Sequence, residues 1–369
     1  MSKPVINLLL DSGAFSAWSL GREVSLPNYI SFVKENPESI AHTINLDVII
    51  PENPEKAAEA GRVNFLEMRN AGVDCIPVHH ARESFKWLEL MCDDCKYIGV
   101  SGTSLVSPLE VFYYYDMVFQ YITDSHGFPV VDTHLFGDTS PKSLMNYCAT
   151  SADSATWMIQ AGRAARINLD GKSIQFRSTK RRDTSYIEIE DTGPKRQSWE
   201  EAFVRLGIDP DKAMTVKATQ SEQAMIRAYM VLAELLQLQK RSAHVTKFTK
   251  GKSLVNSKRQ LEGGRERQGP IAVYAVLSPS AYYFNLPIVA TLGLKNVLCS
   301  YYYLADAPAK FWPERLMPFL YNPMEYCETN PKVRRYLDKL REVLLPKPDP
   351  INMPVNPVCL AAGAQTIIS

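Results

Sequence analysis

The chain has 369 residues, 46% of them hydrophobic, with 41 basic against 40 acidic residues and a formal net charge of +1. That length and apolar share support one large domain with an appendage and exclude a disordered chain or a disulfide-stapled miniature. The near-neutral balance selects no partner, so only local charge is informative.

The seven cysteines are odd in number and scattered, which argues against a disulfide framework and for a reducing compartment. The apolar run at 5–10 is too short for a signal peptide and ends in a charged residue. No window approaches the roughly 18 apolar residues of a membrane span. The expectation is a soluble, cytoplasmic protein, in the host cytoplasm if the chain is viral, with no membrane partner.

In chain order, short apolar runs end in polar, Gly or His residues. Residues 5–10 run into Asp11-Ser12-Gly13, and 43–50 surround Asp47. Residues 73–78 run into His79-His80, 97–100 into Ser101-Gly102, and 130–135 into Gly137-Asp138. Helix-like stretches with apolar residues at helical spacing, such as 54–71 and 82–91, lie between them. Strands alternating with helices predict a parallel sheet, with chemistry at the C-terminal ends of its strands. Five such units suit either a barrel or an open doubly wound sheet. A single barrel takes about 250 residues, leaving room for insertions.

After Trp157 the regularity fades. Residues 168–201 carry Lys172, Arg177, Lys180, Arg181 and Arg182, then alternate through 186–190, as in a hairpin or a decorated loop. Thr219 with Glu222 predicts a capping box, and Met225, Tyr229, Leu232 and Leu236 share one helical face. Residues 240–268 are densely basic, apolar runs follow at 271–286 and 297–304, and 345–357 is proline-rich and reads as irregular.

Several residues could carry chemistry. Asp11-Ser12-Gly13 places a carboxylate, a hydroxyl and backbone N–H groups at a strand-to-loop turn, but it reads equally as a helix cap. Asp153, in Ser151-Ala152-Asp153-Ser154-Ala155-Thr156-Trp157, suits a nucleophile in a tight pocket or a plain surface residue. His79-His80 ends a strand and could line a pocket. His134 could orient Asp138, contact a sugar or make a structural hydrogen bond. Cys92-x-x-Cys95 has zinc-ligand spacing without a second ligand pair, so no metal is assigned. The tyrosines at 113–115 and 301–303 suit core or interface better than base stacking.

Taken in order, these motifs resemble the tRNA-guanine transglycosylases (queuine tRNA-ribosyltransferases). The resemblance rests on Asp11-Ser12-Gly13-Ala14-Phe15 after a strand and on His134-Leu135-Phe136-Gly137-Asp138-Thr139-Ser140-Pro141, with the Asp153-Ser154 element beyond. Asn45-Leu46-Asp47-Val48 resembles the strand bearing the family's base-recognising Asp, and residues 97–102 its Gly-rich strand under the base. The match covers residues 5 to 167. It departs from the pattern at Val78-His79-His80, where the family has Gln-Gly-Gly, and at Ala14, where a second Gly is usual. The family's Cys-x-Cys-x-x-Cys zinc site with its downstream His is missing: after Asp153 the cysteines are Cys299, Cys327 and Cys359, and the only histidine is His244. Such chains resemble the virus- and bacterium-encoded branch that places 7-deazaguanine derivatives into DNA.

The resemblance implies a (β/α)8 TIM-like barrel over residues 1–310, with basic nucleic-acid-binding insertions at about 168–201 and 240–268, and an irregular C-terminal extension over 311–369. It implies a covalent nucleophile at Asp153, a general acid/base at Asp11, and a base pocket of Ser12, Gly13, Asp47, His79, Gly99, Gly102 and His134. The target guanine would be flipped from DNA, and Arg163, Arg166, Lys180, Arg181, Arg182, Lys250, Lys252, Lys258 and Arg259 would hold phosphates. The small-molecule substrate would be a 7-deazaguanine base. No cofactor or metal is required, and a homodimer is compatible with the pattern. The alternatives are a tRNA substrate, a non-catalytic nucleic-acid-binding subunit, or an unrelated barrel hydrolase using the same carboxylates.

Overall fold

The computed structural model describes residues 3–102, 106–163, 166–169, 172–177, 188–189, 194–249, 261–277, 282–300 and 316–346. The strands are β1 (Asn7–Asp11), β2 (Ile40–Thr43), β3 (Val78–His80), β4 (Tyr97–Ser101), β5 (Asp132–Phe136), β6 (Ser151–Ser154), β7 (Arg166–Leu169), β8 (Lys172–Arg177), β9 (Glu188–Ile189), β10 (Ala272–Leu277) and β11 (Asn296–Ser300). The helices between them are α1 (Ala14–Ser19), α2 (Leu26–Glu35), α3 (Pro54–Asn70), α4 (Phe85–Asp94), α5 (Pro108–Ile122), α6 (Pro141–Asn146), α7 (Thr156–Arg163), α8 (Pro194–Arg205), α9 (Pro210–Thr215), α10 (Gln220–Arg241) and α11 (Tyr282–Leu292).

Eight strands form one sheet in the order β2-β1-β11-β10-β6-β5-β4-β3, and every pairing is parallel. The sheet is curled, with β2 and β3 as its outer strands. Ile44, just past β2, forms a parallel bridge with Ile76, just before β3. The Ile76 N–H donates to Thr43 O at 2.8 Å and the Asn45 N–H to Ile76 O at 2.9 Å. The architecture is α/β, a curled parallel sheet wrapped in helices, consistent with a TIM-like fold.

Two apolar clusters follow from the two-residue period of a strand. Leu8, Leu10, Ile98, Val100, Leu135, Ala152, Val273, Ala275, Val297 and Cys299 point outward into the cluster shared with the helices. Leu9, Ile44, Ile76, Val78, Tyr274 and Leu298 fill the inside of the curl, with Tyr97 and Phe136 packed against them. The same parity turns Asp11, His80, Gly99, His134, Ser151 and Asp153 inward. Gly99 lacks a side chain for a reason of space: a Cβ there would lie 2.6 Å from Phe136 Cε2 and 3.0 Å from Val78 Cγ2.

Between β6 and β10, β7, β8 and β9 make a separate antiparallel sheet. Of the alternation at 186–190, expected as a hairpin or a decorated loop, only Glu188 and Ile189 lie among the described residues. Helix α10 carries the expected capping box of Thr219 and Glu222 and buries Met225, Tyr229 and Leu232. The expected irregular C-terminal extension is corrected over 316–346. This stretch forms helices Met317–Tyr321, Pro323–Thr329 and Pro331–Val343, each with a proline in its first turn. Proline is tolerated there because the first-turn N–H groups have no intrahelical acceptor. These helices bury Leu316, Phe319, Leu320, Val333, Leu337, Leu340 and Val343 in the same cluster as the sheet. The N–H groups of Val5 and Ile6 donate to Leu320 O, which ties the first strand to this segment. The expected boundary near 310 lies outside the described residues. Among the described residues, no helix is long and apolar enough to cross a membrane.

Candidate active site

Asp11 ends β1, in register with Ser300 of β11. The turn after it is made by Gly13, which sits at φ 75° as the residue before α1 and gives that helix no side-chain cap. A left-handed backbone there suits glycine. Ser12 is buried, and its Oγ accepts from the Ala14 N–H at 3.4 Å. Burial pushes the Asp11 carboxyl up to about 6; the nearby charge of Asp153 adds to this, and the Gly13 and Ser12 N–H groups oppose it. On α2, Tyr29 donates to Leu10 O (3.2 Å) and Ile44 O (2.8 Å), pinning the backbone beside Asp11.

Asp153, on β6, is 6% exposed. Its Oδ1 accepts from His134 Nε2 at 3.0 Å and from the Gly137 N–H at 3.2 Å. His134 is fully buried behind the carboxylate, and its Nδ1 lies 2.5 Å from Ser151 Oγ. Ser151 Oγ in turn lies 2.5 Å from Tyr97 OH. The expectation of a base contact for His134 is therefore corrected: its ring is spent on Asp153 and Ser151. Nor does His134 orient Asp138, which accepts from the Ser140 N–H (2.8 Å) and the Ser143 hydroxyl (2.5 Å) at the start of α6.

Asp47 lies beyond β2, close enough to Asp11 for their charges to interact. Burial pushes its carboxyl up to about 7; His80 opposes that, and Glu83 and Asp11 add to it. His80 Nε2 is 3.6 Å from Asp47 Oδ2, and His80 Nδ1 is 3.2 Å from Glu83 Oε1. The His80 backbone N–H also donates to Glu83 Oε2 at 3.0 Å. Burial alone would lower the His80 imidazole. The Glu83 hydrogen bond and the charges of Asp47 and Glu83 overcome burial and hold it at about 9. His80 is thus an imidazolium between two carboxyl groups at neutral pH.

The pocket expected from the sequence is only partly assembled. Asp11 ends β1 with Ser12 and Gly13 after it, Asp47 lies past the adjacent β2, and Asp153 stands on β6, with β11 and β10 between it and β1; the charge of Asp153 reaches Asp11, and that of Asp11 reaches Asp47. His79 does not join them. It faces outward, with Nδ1 2.8 Å from Tyr114 OH and its ring edge-on to Phe85. The physical reason is the strand period, since Val78 and His80 take the inward positions and His79 the outward one. Gly99 makes room for the Phe136 ring, and a Cβ on Gly102 would meet Tyr114 Cδ1 at 3.2 Å on the helix side. Both glycines therefore serve packing around the site.

Arg163 ends α7 and Arg166 opens β7, at the root of the antiparallel insertion. Lys180, Arg181, Arg182, Lys250, Lys252, Lys258 and Arg259 lie outside the described residues. One member of the basic run is structural: Arg267 is buried and donates to Val245 O, Ser242 O and Gly269 O. Cys92 and Cys95 are not joined in a disulfide, and no group of three or more metal-ligating side chains occurs among the described residues.

Sequence reasoning gave no role to Glu83, Ser151 or Tyr97, and it offered His79 and His80 together as pocket residues without choosing between them. It also passed over Phe15 and Trp18 on α1. Their rings lie 5.6 Å apart and are 46% and 43% exposed, directly after the Asp11 turn.

The chain matches no protein-family model, no curated protein and no solved structure. Fold and site together define an α/β protein whose curled parallel sheet carries three carboxyl groups at the C-terminal ends of its strands, Asp153 buried and Asp11 and Asp47 partly so. Desolvation pushes both Asp11, to about 6, and Asp47, to about 7, above the usual carboxylate range.

Proposed function

We propose that this chain is a guanine transglycosylase, resembling the tRNA-guanine transglycosylases, that exchanges guanine in DNA for a 7-deazaguanine derivative. We read the curled sheet as a complete (β/α)8 barrel joined at Ile44 and Ile76. The observation that carries the reading is the pair of neighbouring acids in unlike environments. Asp11 is pushed up to about 6 by burial and by Asp153, whereas Asp153 is held by two hydrogen-bond donors. One group suited to carry a proton beside one held as a nucleophile is what base exchange requires.

In the first half-reaction, an Asp153 oxygen attacks C1′ and the glycosidic C1′–N bond breaks. Its electron pair passes to guanine, which takes the Asp11 proton. In the second, the incoming base gives its proton to Asp11 and attacks C1′, and the pair of the C1′–O bond returns to Asp153. Retention at C1′ follows from two displacements. Asp47 accepts from the N1–H and amino group of a guanine edge, and the His80 imidazolium stands beside it as a donor. Phe15 and Trp18 offer apolar faces for the flipped base or its neighbours. The basic stretches around Lys180–Arg182 and Lys250–Arg259 supply phosphate contacts. The choice of DNA over tRNA rests on the missing zinc-site pattern after Asp153.

The test is exchange of labelled guanine, and separately of a 7-deazaguanine, into duplex DNA or tRNA. Incorporation into DNA alone is the expected result. Incorporation into tRNA alone moves the substrate, and absence of exchange into both with nucleic-acid binding intact leaves a binding subunit. Asp153→Asn abolishes exchange while preserving binding, and wild type without acceptor base leaves a covalent protein–DNA adduct on a denaturing gel. Full activity of Asp153→Asn sinks the assignment.

A further inference from the structure

A connected line of polar side chains crosses the inside of the curl. It runs from Asp153 down through His134 and Ser151 to Tyr97, which packs edge-on against the His42 ring with centroids 5.4 Å apart. His134 and Ser151 are almost wholly buried, so each of their polar atoms must find its partner within the line. The donor order then follows from chemistry. A carboxylate only accepts, so His134 Nε2 carries the hydrogen facing Asp153 Oδ1. In the Nε2–H tautomer Nδ1 accepts, and the group at 2.5 Å is the Ser151 hydroxyl, which donates to it. Ser151 Oγ accepts in turn from Tyr97 O–H, a phenol that burial pushes well up and so keeps protonated. Each hydroxyl donates once, in one direction, toward the carboxylate.

The two donors on Asp153 both reach Oδ1, and among the described residues no hydrogen bond is made to Oδ2. We propose that Tyr97, Ser151 and His134 form a positioning chain that locks the Asp153 carboxylate and leaves Oδ2 as the attacking oxygen. This rests on the transglycosylase reading. None of the three touches the substrate; they act through Asp153. When Oδ2 bonds to C1′, Oδ1 becomes the carbonyl oxygen of the ester and loses charge. When the incoming base displaces Asp153, charge returns to the carboxylate, where His134 Nε2–H and Gly137 N–H already point. The chain thus assists departure of Asp153 in the second displacement, by donors oriented before charge develops.

The experiment uses full-length wild type, Tyr97→Phe, Ser151→Ala and Ser151→Thr. Imidazole 15N shifts report the His134 tautomer independently of activity, and steady-state exchange with adduct trapping reports the chemistry. Wild-type His134 is expected as the Nε2–H tautomer, with Ser151→Ala shifting it toward a mixture. Tyr97→Phe and Ser151→Ala are expected to lower kcat on the order of 10–100-fold with KM for both substrates unchanged, as losses behind a first-contact group do. Ser151→Thr restores the hydroxyl and part of kcat. Adduct accumulates relative to wild type if the second displacement is the slower step. An Nδ1–H tautomer in wild type overturns the chain, and so does full kcat in Ser151→Ala. A wild-type protein without exchange activity removes the attacking role of Oδ2 together with the function, while the tautomer measurement still decides the order of donors.

Discussion

Replacing Asp11 by Asn should stabilise the protein at pH 8 while abolishing exchange. Asp11 is pushed from an ordinary 3.8 to about 6 by burial and then by Asp153. A raised carboxyl pKa means the folded state holds the proton more tightly than the unfolded chain does. Its contribution is fully present below the unfolded value and is lost as pH rises through the folded one. At 1.36 kcal/mol per pH unit, the ionised Asp11 costs the folded state about 3 kcal/mol above pH 6. Asp11 is not wholly enclosed, and screening trims the expected gain of Asp11→Asn to about 1–3 kcal/mol at pH 8. At pH 4 the same linkage leaves only about 0.5 kcal/mol. Urea denaturation of both proteins at both pH values measures the difference directly. Equal shifts at pH 4 and pH 8, or a less stable variant at pH 8, would refute the placement of Asp11 in a desolvated site beside a second carboxylate. Exchange assayed on the same samples separates stability from chemistry, since the variant cannot shuttle a proton at either pH.

Two further predictions concern the walls of the site. Gly99→Ala places a methyl 2.6 Å from Phe136 Cε2, and a cost of about 1–3 kcal/mol is expected in thermal or urea unfolding; a neutral substitution with Phe136 unmoved would contradict the packing. Glu83→Gln removes the hydrogen bond and charge that raise His80, so the His80 midpoint followed by NMR should fall below about 9. Because a raised histidine pKa stabilises at low pH, the advantage of wild type over this variant, about 1.5–3 kcal/mol at neutral pH, should shrink as pH climbs through 9. An unchanged midpoint would remove Glu83 from the site.

Much of the sheet was legible because apolar runs ending in Asp11, near Asp47 and in Gly137 mark strand ends by composition alone. The capping box at Thr219 and Glu222 was legible for the same local reason. The face of a strand was harder to read. β3 has three residues, too few for alternation to show whether His79 or His80 faces inward, and only packing against Tyr114 decides it. The line behind Asp153 was invisible in the sequence. Tyr97 and Ser151 are 54 residues apart and meet because β4, β5 and β6 are neighbours in the sheet. The prolines at 318, 323 and 331 belong to helix starts, and reading the extension as irregular overlooked that first-turn role.

The Ile44–Ile76 bridge gives the curl an uneven stiffness. Within the described residues, every other strand junction shares at least two registered pairs, whereas this one rests on a single bridge. Asp47 and His80 stand just past it, one on each side. Both therefore flank the junction that shares the fewest paired residues. Asp11 and Asp153 stand on β1 and β6, each of which pairs with a strand on both sides. If the proposed base exchange holds, compliance for entry and rigidity for chemistry fall on different arcs of one sheet.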